Sequence, residues 1–408
     1  MKKSFFLVLI IIAVLFQNCK KDKDDPSIVE QLYEVVDSVR VSLEVSLNKE
    51  IPTLNLLIQN SEAGYFISSA AYGEEFIYPE TKFRFASNTK NFTATAILNM
   101  FEDGWLDYKA KIIDTIPESE IPYVSAADQW NIPYKNDITI EQLLQHAAGV
   151  YDVDNDTVPD CDGKSYVEYK ETIDPNHQFT AEELVEQDMI HNLSYFEPGT
   201  GYHYSNTGYT ILGEIIARVY SFHSGEAKTY NDYLKDYIYG SSTAVPLDLD
   251  FPYIAEDNEM SLPFCCSIIY ESGEVEINCL DNMSAHVAEG NGYGSMIDLN
   301  TYIRSLMKGE NVLTPESVEL MQNDVSAAND GYSLGCIHVE NLGMGHNGAI
   351  DGYLSLMVYD PAHDVSVIVM LPTWDLTDGL ESFTKCFMAM YEAGWAARSF
   401  LGYPGKPK

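Results

Sequence analysis

Phe85-Ala86-Ser87-Asn88-Thr89-Lys90 runs without a break into Asn91-Phe92-Thr93-Ala94-Thr95-Ala96-Ile97-Leu98-Asn99-Met100-Phe101. Phe92, Ala96, Ile97, Met100 and Phe101 recur at helical spacing, and Ala94 and Leu98 fill the other side, so the pattern predicts a helix buried nearly all round. Gly104 is a good residue to end it. Ser87 then falls in the first turn, with Lys90 three residues on, on the same face. A serine hydroxyl is a poor nucleophile without a base close by, and a lysine serves as one when burial or nearby positive charge lowers its pKa. The apolar flank supplies burial, and the helix N-terminus favours both a neutral amine and an anion forming at Ser87. Ser-x-x-Lys alone also reads as a surface N-cap with a lysine nearby.

The surrounding chain has 408 residues, 46% of them hydrophobic, enough to bury one large domain or two. Met1-Lys2-Lys3 followed by the apolar run from Phe5 to Phe16 reads as a signal peptide over residues 1–18, too short for a comfortable membrane span. Cys19 follows at once and is the expected lipidation site, with residues 19–27 a charged, aperiodic tether. This predicts a cell-envelope protein, periplasmic or on the outer membrane, held to the membrane through a lipid anchor only. A formal charge of −38 repels phosphate backbones, which argues against a nucleic-acid partner.

An exported chain can oxidise its cysteines. Cys265 to Tyr270 and Val275 to Cys279 flank Glu271-Ser272-Gly273-Glu274, a hairpin with Ser272-Gly273 at its tip. Counting back from that turn sets Cys266 against Cys279 in a non-hydrogen-bonded pair, close enough to form a disulfide. Cys161, Cys265, Cys336 and Cys386 remain without an assigned partner.

Ile28 to Leu47 carries an apolar helical stripe, and residues 53–59 and 64–70 read as two strands joined by a turn. Thr139 to His146 is a short helix opened by a capping box from Thr139 to Gln142 and ended by Gly149. The acidic stretch from Tyr151 to Glu168 has alternate aspartates, but Thr157 and Gly163 stand where a calcium loop needs its turn glycine and its bidentate glutamate, so a solvated loop is expected and no metal. Helical patterns return at Ala181 to His191, Thr207 to Tyr220 and Tyr230 to Tyr239. Pro198-Gly199 turns the chain ahead of Tyr204-Ser205-Asn206 at the mouth of the second of these. Gly294 to Met307 is helical after its first residues. Leu342 to Ala349 is glycine-rich around His346, as a strand lining a substrate site would be. Strands at Tyr353 to Tyr359 and Val365 to Leu371 and a helix at Leu380 to Phe400 complete an α+β chain.

Taken in order, Ser87-x-x-Lys90, Tyr204-Ser205-Asn206 and His346-Asn347-Gly348 resemble the three signature motifs of the serine DD-peptidases and class C β-lactamases. Phe83 to Lys90, Ile138 to His146, Pro198-Gly199 and Gly335 look like family positions too, and the resemblance covers roughly residues 50 to 400. It implies an antiparallel β-sheet flanked by the N- and C-terminal helices, with a helical subdomain from about residue 100 to 290 inserted in a single domain spanning 28–408, and the site in the cleft between. It also implies catalytic roles for Ser87 as nucleophile and for Lys90, Tyr204 and His346 around it, with the base either Lys90 or Tyr204, as is disputed for related enzymes. Substrate binding falls to Asn206, Asn347 and Gly348, and the oxyanion hole to the backbone N–H groups of Ser87 and Ala349. No cofactor is implied. His346 resembles the DD-peptidase branch rather than the lysine of the β-lactamases, so the expected function is a D-alanyl-D-alanine carboxypeptidase-like serine hydrolase acting on a peptide or small-molecule substrate such as a peptidoglycan stem peptide. Esterase, D-aminopeptidase and β-lactamase activities are alternatives on the same fold. A non-catalytic peptide- or glycan-binding lipoprotein is the alternative of another class.

Overall fold

The structure, a computed structural model, describes residues 26–71 and 77–408. The signal segment, Cys19 and most of the tether lie outside the described residues. In chain order the elements are α1 (Ile28–Leu47), β1 (Thr53–Gln59), β2 (Gly64–Ala70), β3 (Lys82–Arg84), α2 (Thr89–Glu102), α3 (Ile140–Leu144), α4 (Tyr166–Ile173), α5 (Ala181–His191), α6 (Asn206–Ser224) and α7 (Tyr230–Tyr233), which continues as a π-helical turn to Tyr239. After these come β4 (Ser267–Glu271), β5 (Glu274–Asn278), β6 (Tyr293–Ser295), α8 (Met296–Met307), α9 (Pro315–Asn323), β7 (Ile337–Val339), β8 (Gly343–Ile350), β9 (Tyr353–Asp360), β10 (Val365–Leu371), β11 (Thr373–Asp375) and α10 (Leu380–Phe400).

A six-stranded antiparallel sheet in the order β2-β1-β10-β9-β8-β7 forms the centre. Residues alternate across a strand, so each strand feeds two cores. From β9 and β10, Leu354, Leu356, Val358, Val365, Val367, Val369 and Leu371 pack with α1 and α10. Met357, Ile368 and Met370 pack instead with α2, α6 and α8. The terminal helices thus cover one face and the helical part covers the other, the α+β arrangement that the motif resemblance implies. β4 and β5 add to β11 in a separate three-stranded sheet, and β3 pairs with β6 in a two-stranded one.

Local chemistry explains several boundaries. Ser27 and Glu30 form a capping box at the start of α1, and Thr139 and Gln142 form one at α3. α3 ends earlier than Gly149: Gln145 is its cap and His146 takes φ +54°. Ser272 and Gly273 both have positive φ, as a tight two-residue hairpin turn requires, so Ser267 pairs with Asn278 and the next pair out is Cys266 and Cys279. These two form a disulfide with their Cα atoms 4.5 Å apart, while Cys161, Cys265, Cys336 and Cys386 are free thiols.

Candidate active site

Ser87 does not lie in the first turn of α2. It sits in a 3₁₀ turn, Ala86–Asn88, that precedes the helix. From Thr81 to Met100 every residue is buried except Ser87. The turn is held on every side. The Phe85 amide donates to the Gly292 carbonyl at 3.1 Å, and the Phe85 ring stacks on Phe92 and meets Phe251 edge-on. The Asn88 amide donates to the Phe85 carbonyl at 2.9 Å and to Ser355 Oγ on β9 at 2.7 Å. Ala86 takes φ +52°, a region that costs an alanine about 1–2 kcal/mol and persists only where neighbours fix it. β8 is one such neighbour: a Cβ on Gly348 would lie 2.3 Å from the Phe85 carbonyl oxygen and 2.9 Å from Ala86 Cβ, so only glycine lets the strand approach.

Lys90 is fully buried behind the serine. Its Nζ lies 3.1 Å from Ser87 Oγ, 2.7 Å from Asn206 Oδ1, 2.7 Å from the Glu289 carbonyl oxygen and 3.2 Å from Glu289 Oε2. Burial pushes the amine down, but Tyr204 and the Glu289 carboxylate outweigh it and the pKa ends above the ordinary lysine value.

Tyr204 comes from the turn before α6. Its partly buried phenol hydrogen-bonds to both Lys90 and Ser87, and Lys90 Nζ lies 4.8 Å from its ring centroid. Burial raises its pKa, the Lys90 charge and these hydrogen bonds oppose that, and it stays above the usual phenol value. The loop is fixed by His146, whose Nδ1 accepts the Ser205 amide at 3.1 Å and whose ring lies 4.2 Å from that of Tyr204. That bond puts the His146 proton on Nε2, and burial followed by the Lys90 charge holds the ring neutral, well below the usual imidazole value.

Ser87, Asn206, His286, Glu289, Ala349 and Trp374 are among the residues lining a cavity of about 160 Å³. Of the residues assigned roles from the sequence, Ser87, Lys90, Tyr204, Asn206 and Ala349 therefore come together. Three others are placed differently. His346 is 1% exposed, does not line the cavity, and has Nε2 2.9 Å from the Tyr332 hydroxyl. Burial and then Lys90 lower its pKa to about 3, so it is a neutral packing ring 6.3 Å from that of Tyr204. Asn347 is on the other face of β8, where its amide donates to the Tyr391 hydroxyl of α10 at 2.6 Å. Gly348 is needed for the close approach of β8 to the Ser87 turn and has no side chain to offer a substrate.

The stretch from Tyr151 to Glu168 is also not a freely solvated loop. Asp152 is 1% exposed and accepts the Asn206 amide N–H at 3.0 Å, while Asp154 Oδ2 accepts Asn206 Nδ2 at 2.6 Å. Burial, then the Asp154 charge, raises Asp152 to about 7. Asp154 reaches His286 Nδ1 at 3.5 Å, and the same nitrogen lies 2.6 Å from Glu289 Oε1. Burial would discharge His286, but the Asp154 and Glu289 carboxylates outweigh it and hold the pKa well above the ordinary imidazole value. Asp154, His286 and Glu289 present ligand atoms within 4.8 Å of one another, a set that could hold a cation, but a protonated His286 fills that space with its own charge. Sequence reasoning missed Asp154, His286 and Glu289. The glycines at 290 and 292 beside Glu289 were the available signal of a close backbone approach, since a Cβ on Gly292 would lie 2.2 Å from the Phe85 ring.

The Beta-lactamase family profile matches residues 75–381. Penicillin-binding protein 4* of Bacillus subtilis (strain 168) is 31% identical over 160 residues, 38% of this chain and 28% of that protein. Protein flp of Staphylococcus aureus (strain MRSA252) is 23% identical over 346 residues, 80% of this chain and 61% of that one. The chain thus spans less than two thirds of these curated relatives. Among solved structures, D-amino acid amidase from Ochrobactrum anthropi SV3, complexed with L-phenylalanine amide, superposes with a TM-score of 0.68 at 18% identity over 90% of this chain and 99% of that one. A D-stereospecific amidohydrolase from Streptomyces sp. gives 0.64 at 20% identity, over 83% and 94%. At these identities the superpositions speak to the fold alone, and the profile match over most of the sequence, joined to a Ser87 that lines the cavity with Lys90 and Tyr204 beside it, makes this chain a member of the Beta-lactamase family.

Proposed function

We propose that the protein hydrolyses an amide bond through an acyl-enzyme on Ser87. The observation that carries this reading is the 3.1 Å contact between Lys90 Nζ and Ser87 Oγ on the wall of a cavity that also includes Ala349. Ser87 Oγ adds to the substrate carbonyl as its proton passes to the Lys90–Tyr204 pair, and the carbonyl oxygen becomes an oxyanion facing the Ser87 and Ala349 N–H groups, each worth about 3 kcal/mol. The pair returns the proton to the leaving nitrogen as the C–N bond breaks, and water then hydrolyses the ester. Asn206, tied to Asp152 and Asp154, is placed to hold the substrate amide.

The lining bears on the substrate. Among the described residues the cavity wall holds Asp154, Glu289 and Asp351 with His286, and no arginine or lysine. A D-alanyl-D-alanine carboxypeptidase must hold a terminal carboxylate, for which this wall offers no arginine or lysine. An acyl group with a free ammonium, as in an amino acid amide, meets Asp351 there. The leader sequence and Cys19 support a lipid-anchored location in the cell envelope, where peptide fragments of the wall would be one source of substrate. No helix among the described residues is long and apolar enough to cross a membrane.

The test is a hydrolysis panel of a D-amino acid amide, a D-Ala-D-Ala peptide, a short-chain ester and a chromogenic cephalosporin, with intact mass after fluorophosphonate treatment and Ser87→Ala as control. The expected result is one adduct on Ser87 and fastest turnover of the amide. Preference for the D-Ala-D-Ala peptide would restore the carboxypeptidase reading. No adduct from any acylating reagent would leave a binding protein.

A further inference from the structure

Lys90 Nζ is surrounded by more acceptors than a neutral amine can serve. The Glu289 carbonyl and carboxylate can only accept. The Asn206 amide is oriented by its Nδ2 bond to Asp154 Oδ2, which leaves Oδ1 facing Lys90 as a third pure acceptor. Three acceptors take three N–H bonds, and only an ammonium has three. A neutral amine would leave one of them unpaired at full burial. An ammonium has no lone pair on Nζ for the proton of Ser87, and its 3.1 Å contact with Ser87 Oγ is a donation to the serine.

Resting on the acyl-enzyme reading above, we propose that Glu289, buttressed by His286 and Asp154, is a positioning residue that keeps Lys90 an ammonium and so makes Tyr204 the proton acceptor. The reacting form is the one in which Tyr204 has ionised beside the Lys90 ammonium: Ser87 loses its O–H bond as Oγ–C forms, the phenolate oxygen gains that proton, and the carbonyl electron pair moves to oxygen. When the C–N bond breaks, Tyr204 gives the same proton to the leaving nitrogen and is a phenolate again. Lys90 keeps its charge throughout and steadies the phenolate. Asp154, His286, Glu289 and Lys90 form a line of alternating charge with no net sum, which is how four charges stay buried together.

Other titratable groups face Lys90. Tyr209 of α6 presents its ring 5.5 Å from Nζ, Asp152 lies behind Asp154, and His146 and His346 are neutral. None of these supplies the opposite charge that Glu289 does.

The decisive measurement is the pH dependence of fluorophosphonate labelling of Ser87, read by intact mass, in wild type, Glu289→Gln and His286→Gln, with circular dichroism to establish folding. Removing the Glu289 charge stabilises the deprotonated forms of Lys90 and Tyr204, so the labelling midpoint in Glu289→Gln moves to lower pH by about 1–3 units. Removing the His286 charge moves it the other way. A folded Glu289→Gln with the wild-type midpoint, or one shifted upward, overturns the proposal. If Glu289→Gln does not fold, His286→Gln decides alone: an upward shift supports the proposal and an unmoved midpoint overturns it. Wild-type protein that is never labelled at Ser87 fails the acyl-enzyme reading instead.

Discussion

The two faces of the central sheet are built on opposite principles. Toward α1 and α10 the strands present a dry layer of valine and leucine, and the charges there sit at the rim. Asp360, at the end of β9, meets the buried Arg398 of α10 at 2.7 Å and His363 at 2.7 Å. Burial raises the Asp360 pKa, but these partners outweigh it and hold the group below the ordinary carboxylate value. On the other side, around Ser87, carboxylates are buried beside one another. Asp152 and Asp351 are each raised to about 7, first by burial and then by a neighbouring aspartate. One face spends its burial on cohesion, and the other holds groups poised near neutrality, where a proton can move with little driving force.

The comparison can be broken first at the serine. Ser87→Ala is expected to lower kcat by at least about a thousandfold while thermal stability stays near wild type, since the change removes chemistry and no packing. Equal turnover in the variant would end the distinction between the faces. The apolar face answers the opposite way: Leu356→Ala, a fully buried β9 side chain among the terminal helices, should cost about 2–5 kcal/mol in urea unfolding and leave the pH midpoint of labelling unchanged.

Gly348→Ala links the faces, because the added methyl meets the Phe85 carbonyl and displaces the turn beneath Ser87. A loss of about 1–3 kcal/mol in stability is expected together with slower labelling, and slower labelling without any stability change would show that the close approach is not what fixes the turn.

pH separates the faces further. A carboxyl raised from 3.8 to about 7 favours folding while protonated, so its contribution is full below pH 4 and is lost as pH climbs toward 7. Asp360, lowered on folding, contributes above its ordinary pKa and loses that contribution as pH falls below about 4. Melting temperature should therefore fall between about pH 4 and about pH 7, the ordinary and raised values of the cleft carboxyl, and Asp152→Asn should flatten that slope. The net charge of −38 pulls in the same direction, so the difference between variant and wild type is the quantity to measure. The smallest effect is expected at Asn347→Ala, about 1 kcal/mol of stability from the lost bond to Tyr391 and turnover close to wild type.

Much of the fold was legible in the sequence. The bounds of α1, β1, β2, α5, β10 and α10 follow directly from apolar spacing and caps, because each helix carries an apolar stripe and each strand a short apolar run bounded by turn residues. The Ser87, Lys90 and Tyr204 cluster was legible through order and spacing of motifs. Asn347 was not, because β8 is covered on both faces and its glycines carry no polarity, so nothing along the strand says which parity meets the cleft. Asp154, His286 and Glu289 escaped for a different reason: each is ordinary locally, and only folding brings positions 132 and 135 residues apart onto one lysine. The acidic stretch near residue 152 looked like solvated surface because charge along a chain does not reveal that its counter-charges come from distant loops.

The single opening in the segment from Thr81 to Met100 has a consequence for genetics. In that span a substitution anywhere but residues 87 and 90 would register as lost abundance, because each side chain is wedged against neighbours, whereas a change at 87 would register as a full complement of inert protein. A saturation library scored separately for expression and for turnover should show the two readouts diverging most at codon 87, turnover falling further than expression at codon 90, and the two running in parallel along the others.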